Sequence, residues 1–121
     1  MIPLVQRYAN VKFEPDRFTC WEFARQVRLD EGASDIGERR PDTTDRRAWF
    51  KTIQTQRVDF KQITAPEPLC LVLLERRGAA HVGVWVRGAM AHLDELGPRH
   101  EPVRRAMMRM GYLKVTYHVP T

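Results

Sequence analysis

The fold is decided by residues 18–27, which read FTCWEFARQV. Thr19, followed three residues later by Glu22, fits a capping box at the start of a helix. The apolar residues then recur at the helical spacing i, i+3, i+4 and i+7: Cys20, Phe23, Ala24 and Val27. The pattern predicts an amphipathic helix that begins at Cys20 and turns this face toward the core.

A cysteine at a helix start is well placed for thiolate chemistry. Backbone N–H groups there favour an anionic sulfur, and next to a histidine the thiol pKa falls from about 8.5 to roughly 3.5–7.5. The alternative is a structural role, because free cysteine is among the most buried residue types and behaves as a small hydrophobe. Cys20 alone does not decide between the two.

A second segment, residues 81–92, reads HVGVWVRGAMAH and predicts a β-hairpin. Valines alternate with other residues, and Arg87-Gly88 forms a plausible two-residue loop. In that register Gly83 pairs with His92, so His92 projects from the same face as His81, and the glycine leaves room for the rings to approach. A register shift of one residue would move His92 to the opposite face.

The two histidines have an ordinary interpretation as solvent-exposed hairpin residues. Their placement on one face, the intervening glycine and the upstream helix-start cysteine together favour a functional site. A thiol and imidazoles in this arrangement are what nucleophilic cysteine catalysis needs.

The two segments resemble the NlpC-type family, the cell-wall cysteine peptidases of bacteria and phages, which have a small papain-like fold. The matching motifs are FTCW at residues 18–21, HVGVW at residues 81–85 and MAHL at residues 90–93. The Cys20-Trp21 pair is similar to the phage tail-associated branch.

The chain also departs from the family pattern. Thr19 replaces the usual Asp, Asn10-Val11 stands where two glycines follow the family tyrosine, and Glu67-Pro68 stands where the family has Gly-Asp. These departures concern the width of the substrate cleft and the level of activity more than the fold.

The resemblance implies roles for five residues. Cys20 would be the nucleophile, His81 the base and then the acid, and His92 the residue that orients His81. Tyr8, twelve residues before the cysteine, and Trp21 would belong to the oxyanion and substrate site. The implied substrate is a peptidoglycan stem peptide.

The implied setting is a phage tail or baseplate, so the expected location is the virion, or the host cytoplasm during assembly, with other tail proteins as partners. The alternative function is a noncatalytic structural or assembly protein of a phage tail that keeps the papain-like fold. A nucleic-acid-binding accessory protein is a weaker alternative.

Composition predicts one domain over residues 1–121, since 43% hydrophobic content in this length supports a single core. Cys20 and Cys70 are too few for a disulfide scaffold, and Cys70 lies in an apolar run, residues 69–74, typical of a buried strand. The sequence predicts neither a membrane span nor a signal peptide, because it has no sufficiently long apolar run and the N-terminus lacks an apolar h-region.

The coarse pattern predicts an α+β fold, a small antiparallel sheet packed against the cysteine helix. An extended arm reaches Arg17, and a surface loop covers residues 32–41. The remaining predicted elements are a short helix at Asp45–Thr52, strands near Leu69–Glu75, Ala80–Val86 and Ala89–Leu93, a helix near Pro102–Met110 and a strand at Tyr112–Val119.

The net charge is +5, with 20 Lys and Arg residues against 15 Asp and Glu residues. The basic pairs are scattered, so a mixed solvated surface is favoured over a polyanion-binding face, and a nucleic-acid partner is not expected. A zinc site from Cys20, His81 and His92 is chemically conceivable, but no metal-ligand spacing supports it. We expect neither a metal nor a cofactor.

Overall fold

The computed structural model describes residues 3–15, 17–37 and 60–121. The helices are α1 (Leu4–Arg7), α2 (Cys20–Asp30) and α3 (Val103–Met110). The strands are β1 (Phe60–Ile63), β2 (Leu71–Arg76), β3 (Ala79–Val86), β4 (Ala89–Asp94), β5 (Gly97–Glu101) and β6 (Lys114–Pro120). The predicted α+β class and the helix that begins at Cys20 are confirmed, and the predicted helix Asp45–Thr52 lies outside the described residues.

The six strands form one antiparallel sheet in the order β1-β6-β2-β3-β4-β5. Strands β1 and β5 are its two edges, and the sequence pattern predicts neither of them. Their sequences, FKQI and GPRHE, are too polar to show the apolar alternation of a half-buried strand. Pro98 and the charged residues on β5 are typical of edge strands.

One face of the sheet packs against α2, which contacts β3 and β4. The helix buries its predicted apolar stripe there, and Phe23, Ala24 and Val27 have no exposed surface. Val82, Val84 and Val86 of β3 belong to the same core cluster. Burying a large apolar side chain contributes roughly 1.5–3 kcal/mol, so this layer is a major source of stability.

The opposite face of the sheet packs against α3. Val103 and Ala106 of that helix form a second core cluster with Val72, Leu74 and Met90. The helix ends at Gly111, whose φ of 78° is left-handed, as predicted for a glycine that follows the last helical residue.

The hairpin between β3 and β4 has the predicted register. Val86 pairs with Ala89, Trp85 with Met90 and Val84 with Ala91. Arg87 and Gly88 both have positive φ, 53° and 78°, as a tight two-residue hairpin loop requires. The ladder ends at Val84, so the predicted Gly83–His92 pair is not part of it.

The N-terminal arm differs from the extended segment that we predict from sequence, because Leu4–Arg7 forms a single helical turn. Leu4 is buried in the α2 core layer. The Tyr8 ring packs edge-on against Phe23 with a centroid distance of 5.1 Å. The arm therefore packs on α2 through Tyr8, while α1 itself contacts β5. These contacts are between residues far apart in sequence, so a local extended pattern cannot predict them.

None of the helices in the described ranges has the length and apolar character needed to cross a lipid bilayer.

We predict that Gly83→Ala destabilises the protein by about 3 kcal/mol, a large overpacking cost. A Cβ at Gly83 would lie 2.7 Å from the Ala91 carbonyl oxygen and 2.7 Å from the Met90 methyl carbon. The carbonyl belongs to the backbone of the paired strand and cannot move without disturbing the ladder. Urea unfolding monitored by circular dichroism measures the loss.

Gly78→Ala is the matched control for that variant. A Cβ at Gly78 meets nothing within 4 Å, but its φ of +74° is unfavourable for alanine. That substitution should cost about 1–2 kcal/mol from backbone strain alone. An equal or smaller loss for Gly83→Ala would contradict the packing argument.

Candidate functional site

The start of α2 is fixed by the residues that predict it. The Glu22 carboxylate accepts a hydrogen bond from the Thr19 backbone N–H at 3.1 Å and a second one from the Thr19 hydroxyl. Thr19 is the N-cap, and Cys20 is the first helical residue. The partial positive charge of the helix N-terminus therefore lies at the sulfur-bearing residue.

A cleft of about 350 Å³ opens beside this helix start, and both Cys20 and His81 line it. Cys20 is 8% exposed and His81 is 6% exposed. The structure thus brings the predicted nucleophile and the predicted base to the same cavity. Most of its other lining residues come from the N-terminal arm, the β4–β5 turn and the end of α3: Phe13, Pro15, Asp94, Glu95, Leu96, Arg109, Met110 and Tyr112.

Cys20 and His81 reach the cleft from different layers. Cys20 belongs to the core between α2 and the sheet. By strand alternation His81 lies on the face that α3 covers, opposite the face of Val82 and Val84. The β3–β4 ladder ends at Val84, while β3 continues along β2 and β4 along β5. Strands β3 and β4 therefore separate beyond Val84. We attribute to this separation the fact that Cys20 and His81, which come from opposite faces of the sheet, line the same cleft.

The two predicted histidines contact each other directly. The Nε2 atom of His81 and the Nδ1 atom of His92 are 2.8 Å apart, and the rings meet edge to face with centroids 4.9 Å apart. Because His92 contacts Nε2 of the His81 ring, a thiol that hydrogen-bonds to His81 can do so only at its Nδ1 atom. His92 has no exposed surface, so it acts through His81 and does not touch the cleft itself.

The space at Gly83 is used differently from our prediction. We expect from sequence that this glycine leaves room for the two rings to approach. In the structure the Met90 side chain and the Ala91 carbonyl oxygen fill that space.

Two further residues, Glu101 and Arg109, extend the histidine pair, and no sequence pattern predicts either of them. The Glu101 Oε2 atom lies 2.7 Å from His92 Nε2. Arg109 donates from Nη2 to the same oxygen at 2.6 Å and from Nε to Oε1 at 3.3 Å. Glu101 lies on β5, where it pairs with Met90 of β4 and is diagonal to His92. Because the sequence of β5 shows no strand pattern, this position could not be predicted from sequence.

Arg109 also ties this chain of contacts to the cleft wall. Its Nη1 donates to Asp94 Oδ2 at 3.0 Å, and Arg99 donates to the same oxygen at 3.1 Å. The Asp94 Oδ1 atom accepts the Leu96 backbone N–H at 2.8 Å. The turn between β4 and β5 is therefore anchored to the same guanidinium that holds Glu101.

The electrostatics of the buried groups favour a neutral histidine beside an ionised carboxylate. Burial lowers the pKa of His92, and this outweighs the opposite effect of Glu101. Burial alone would raise the pKa of Glu101, but the hydrogen bonds from Arg109 and His92 outweigh it, and the net direction is downward. At neutral pH Glu101 is therefore ionised and His92 is neutral.

An aromatic stack covers the other side of His81. The Tyr112 ring lies nearly parallel to the His81 ring, with an interplanar angle of 18° and centroids 6.1 Å apart. The Arg76 guanidinium lies 5.2 Å from the Tyr112 ring centroid, a cation–π distance. Both Tyr112 and Arg76 line the cleft that His81 also lines.

The structure does not bring Tyr8 to the cleft. Its hydroxyl donates to Asp30 Oδ2 at 2.7 Å, at the C-terminal end of α2. An 11-residue helix is about 16 Å long, which separates this hydroxyl from the sulfur at the other end. We therefore do not assign Tyr8 to an oxyanion site.

Trp21 is also placed away from the cleft lining. It has no exposed surface, and its indole N–H donates to the Gly37 carbonyl at 2.8 Å. Its ring packs edge-on against Phe60. In this structure Trp21 joins α2 to the segment that follows it and is a core residue.

Cys70 is buried, as predicted, with 1% exposure, and burial raises the pKa of its thiol. The two cysteines, both within the described ranges, are not joined in a disulfide. Within the ranges that the structure describes, no group of three or more His, Cys, Asp or Glu residues is arranged to hold a metal ion.

Comparisons of this chain with protein-family models, with curated proteins and with solved structures found no match.

We predict that the protein loses stability as the pH falls from 7 to 5. The pKa of His92 is lower in the folded state than the unfolded value of 6.5, so its neutral form contributes its full stabilisation above pH 6.5. That contribution is lost as the pH falls from 6.5 toward the folded pKa, with a slope of at most about 1.4 kcal/mol per pH unit. Urea unfolding at several pH values measures the slope.

His92→Gln should flatten this dependence, because glutamine can bridge the same two partners without titrating. His118, whose pKa burial also lowers, contributes with the same sign, so a reduced slope will remain. His100→Gln, on β5 and outside the chain of contacts, is the control. An unchanged slope in His92→Gln would show that His92 is not the group responsible.

Proposed function

We propose that this chain is a cysteine peptidase or amidase of papain-like type that acts on peptidoglycan stem peptides. The resemblance to the NlpC-type family supplies the substrate class and the phage tail or baseplate setting. One observation carries the chemistry: a thiol at a helix start and the outer end of a buried His–His–Glu chain line the same cleft.

In the acylation step the Cys20 thiol gives its proton to Nδ1 of His81. The thiolate attacks the carbonyl carbon of the amide, and a C–S bond forms as the carbonyl electrons move to oxygen. When the tetrahedral intermediate collapses, the C–N bond breaks and His81 delivers the proton to the leaving amine. The product is a thioester on Cys20 and a free amine.

In the deacylation step a water molecule attacks the thioester while His81 takes its proton. The C–S bond breaks, the sulfur is reprotonated from His81, and a carboxylic acid leaves. In both steps the backbone N–H of Cys20 stabilises the oxyanion, because it is the nearest main-chain donor to the sulfur and lies at the positive end of α2.

The cleft suits a substrate that carries both polar and apolar groups. Arg76 and Glu95 supply opposite charges, while Phe13 and Leu96 supply apolar walls. A stem peptide combines carboxylate, amine and alkyl groups on a short chain, and this mixture supports the substrate class that we propose.

A noncatalytic tail protein is the competing function, and the low exposure of Cys20, 8%, is the observation that favours it. A nucleophile must meet its substrate, so a catalytic Cys20 requires the cleft to widen when the substrate binds. The two experiments below separate these functions.

We predict that Cys20 is an activated thiol. It should react with iodoacetamide with an apparent pKa well below the free-thiol value of about 8.5, while Cys70 stays protected in the core. His81→Ala should slow Cys20 labelling at pH 6 by about tenfold or more, because the thiolate loses its imidazolium partner. Peptide mass spectrometry after timed labelling gives both rates.

His100→Ala is the control for that experiment, since His100 bonds the Val86 carbonyl and does not line the cleft. It should leave the Cys20 rate unchanged. If His81→Ala labels at the wild-type rate across the pH range, then His81 does not activate the thiol.

We predict that the protein releases peptides from purified sacculi and that Cys20→Ser abolishes this release. The melting temperature should change little, since serine and cysteine differ little in volume. Cys70→Ala is the matched control, because it removes the other thiol from the core and should retain cleavage. Mass spectrometry of the released peptides identifies the bond that is broken.

Fragment profiles that are identical for wild type and Cys20→Ser would rule out the peptidase function. A loss of stability or of tail assembly in Cys20→Ser, without any turnover in the wild type, would favour the structural protein.

A further inference from the structure

We propose that Glu101, clamped by Arg109, is a positioning residue that fixes the direction of both hydrogen bonds in the histidine chain and leaves a lone pair on His81 Nδ1. The effect on reaction rate rests on the proposed function. The proton positions themselves are a property of the resting protein and are measurable without any substrate.

The distances alone allow more than one arrangement of protons. A neutral imidazole has one N–H donor and one acceptor nitrogen. In the first arrangement His92 Nε2–H donates to Glu101, and His81 Nε2–H donates to His92 Nδ1. In the reverse arrangement His92 Nδ1–H donates to His81, and the bare Nε2 of His92 faces the carboxylate.

The position of Glu101 excludes the reverse arrangement. A bare nitrogen and a carboxylate oxygen 2.7 Å apart would be two acceptors in contact, unless Glu101 held a proton. The same Oε2 atom lies 2.6 Å from Arg109 Nη2, and Oε1 lies 3.3 Å from Arg109 Nε. A carboxylate that receives a guanidinium on both oxygens stays ionised. His92 Nε2 must therefore carry the proton.

A third arrangement would place a second proton on His92, so that the imidazolium donates to both neighbours. His92 has no exposed surface, and an imidazolium there would lose its hydration. Burial lowers its pKa even with Glu101 alongside, and the positive charge of Arg109 acts in the same direction. The neutral Nε2–H form remains, with Nδ1 as the acceptor for His81.

Other charged groups surround this chain, and all remain present in the experiment below. Asp94 and Arg99 belong to β4 and β5, and they are paired with each other. Among the residues that the structure describes, the other titratable or charged groups on the cleft side are Arg76 on β2, Glu95 in the β4–β5 turn, Tyr112 after α3 and Cys20 itself.

The arrangement has a catalytic consequence. With its proton on Nε2, His81 presents a lone pair at Nδ1, where it can accept the thiol proton. Once protonated, His81 is connected through neutral His92 to the negative charge of Glu101, which stabilises the imidazolium. In Glu101→Gln the side-chain amide can turn either its oxygen or its NH2 group toward His92, so the direction is no longer fixed.

The first measurement uses wild-type protein and nitrogen-15 NMR of labelled histidine side chains at pH 7.5. The chain has four histidines, so His100→Gln and His118→Gln identify the two remaining signals. We expect Nε2 of both His81 and His92 to carry a proton and Nδ1 of His92 to be bare, while Nδ1 of His81 carries a proton only to the extent that Cys20 has transferred its own. A proton on Nδ1 of His92, or a bare Nε2 on either ring, would overturn the proposal, and this measurement does not depend on any variant of Glu101 being folded.

The second measurement is the pH profile of Cys20 alkylation in Glu101→Gln. Removing a charge that stabilises the imidazolium should raise the midpoint by about one pH unit, which slows labelling at pH 6 by about tenfold. Glu75→Gln on β2, which removes a carboxylate that does not line the cleft, is the control and should keep the wild-type midpoint. A midpoint in Glu101→Gln that equals the wild-type value would overturn the positioning role.

The two proposals fail in different ways. If both rings carry Nε2 protons and wild-type Cys20 still titrates as an ordinary thiol, the peptidase function fails while the proton arrangement stands. If Cys20 is activated but Nδ1 of His92 carries the proton, the positioning role of Glu101 fails while the peptidase function stands.

Discussion

His92 is fully buried on the sheet face that α3 covers, and each of its ring nitrogens meets one polar partner. A buried imidazole without such partners would cost several kcal/mol, so its two contacts constrain everything around it. They require β5 to lie beside β4 so that Glu101 can reach the ring. They also require α3 to present Arg109 to that carboxylate, since an ionised group at this depth needs a counter-charge.

The α2 layer and the α3 layer both contribute to the cleft, but they contribute different kinds of side chain. The α2 layer is almost entirely apolar and brings the sulfur to the sheet as part of ordinary core packing. The α3 layer carries a line of polar contacts inside an otherwise apolar cluster. Since apolar packing is non-directional and hydrogen bonds are directional, one layer supplies stability and the other supplies orientation.

Local sequence signals predicted the parts of the structure that depend on neighbouring residues. The capping residues around Cys20 and the alternation on β3 were sufficient for α2 and for the hairpin register. Glu101 escaped prediction because it lies on a polar edge strand and acquires its role only from pairing with β4. Tyr8 was assigned a site role by resemblance, but its hydroxyl bonds to Asp30, a contact 22 residues away that no local pattern reports.

The β4–β5 turn forms part of the cleft wall, with Glu95 and Leu96 at its tip, and Leu96 is 81% exposed. The groups that hold the histidines lie on the strands and on α3, behind this turn, and Asp94 anchors its base through Arg99 and Arg109. Variation at the tip is therefore separable from the charge geometry beneath it. If the chain has the proposed peptidase function, this division gives evolution, or a protein engineer, a short exchangeable segment that can alter substrate selectivity without altering the histidine contacts.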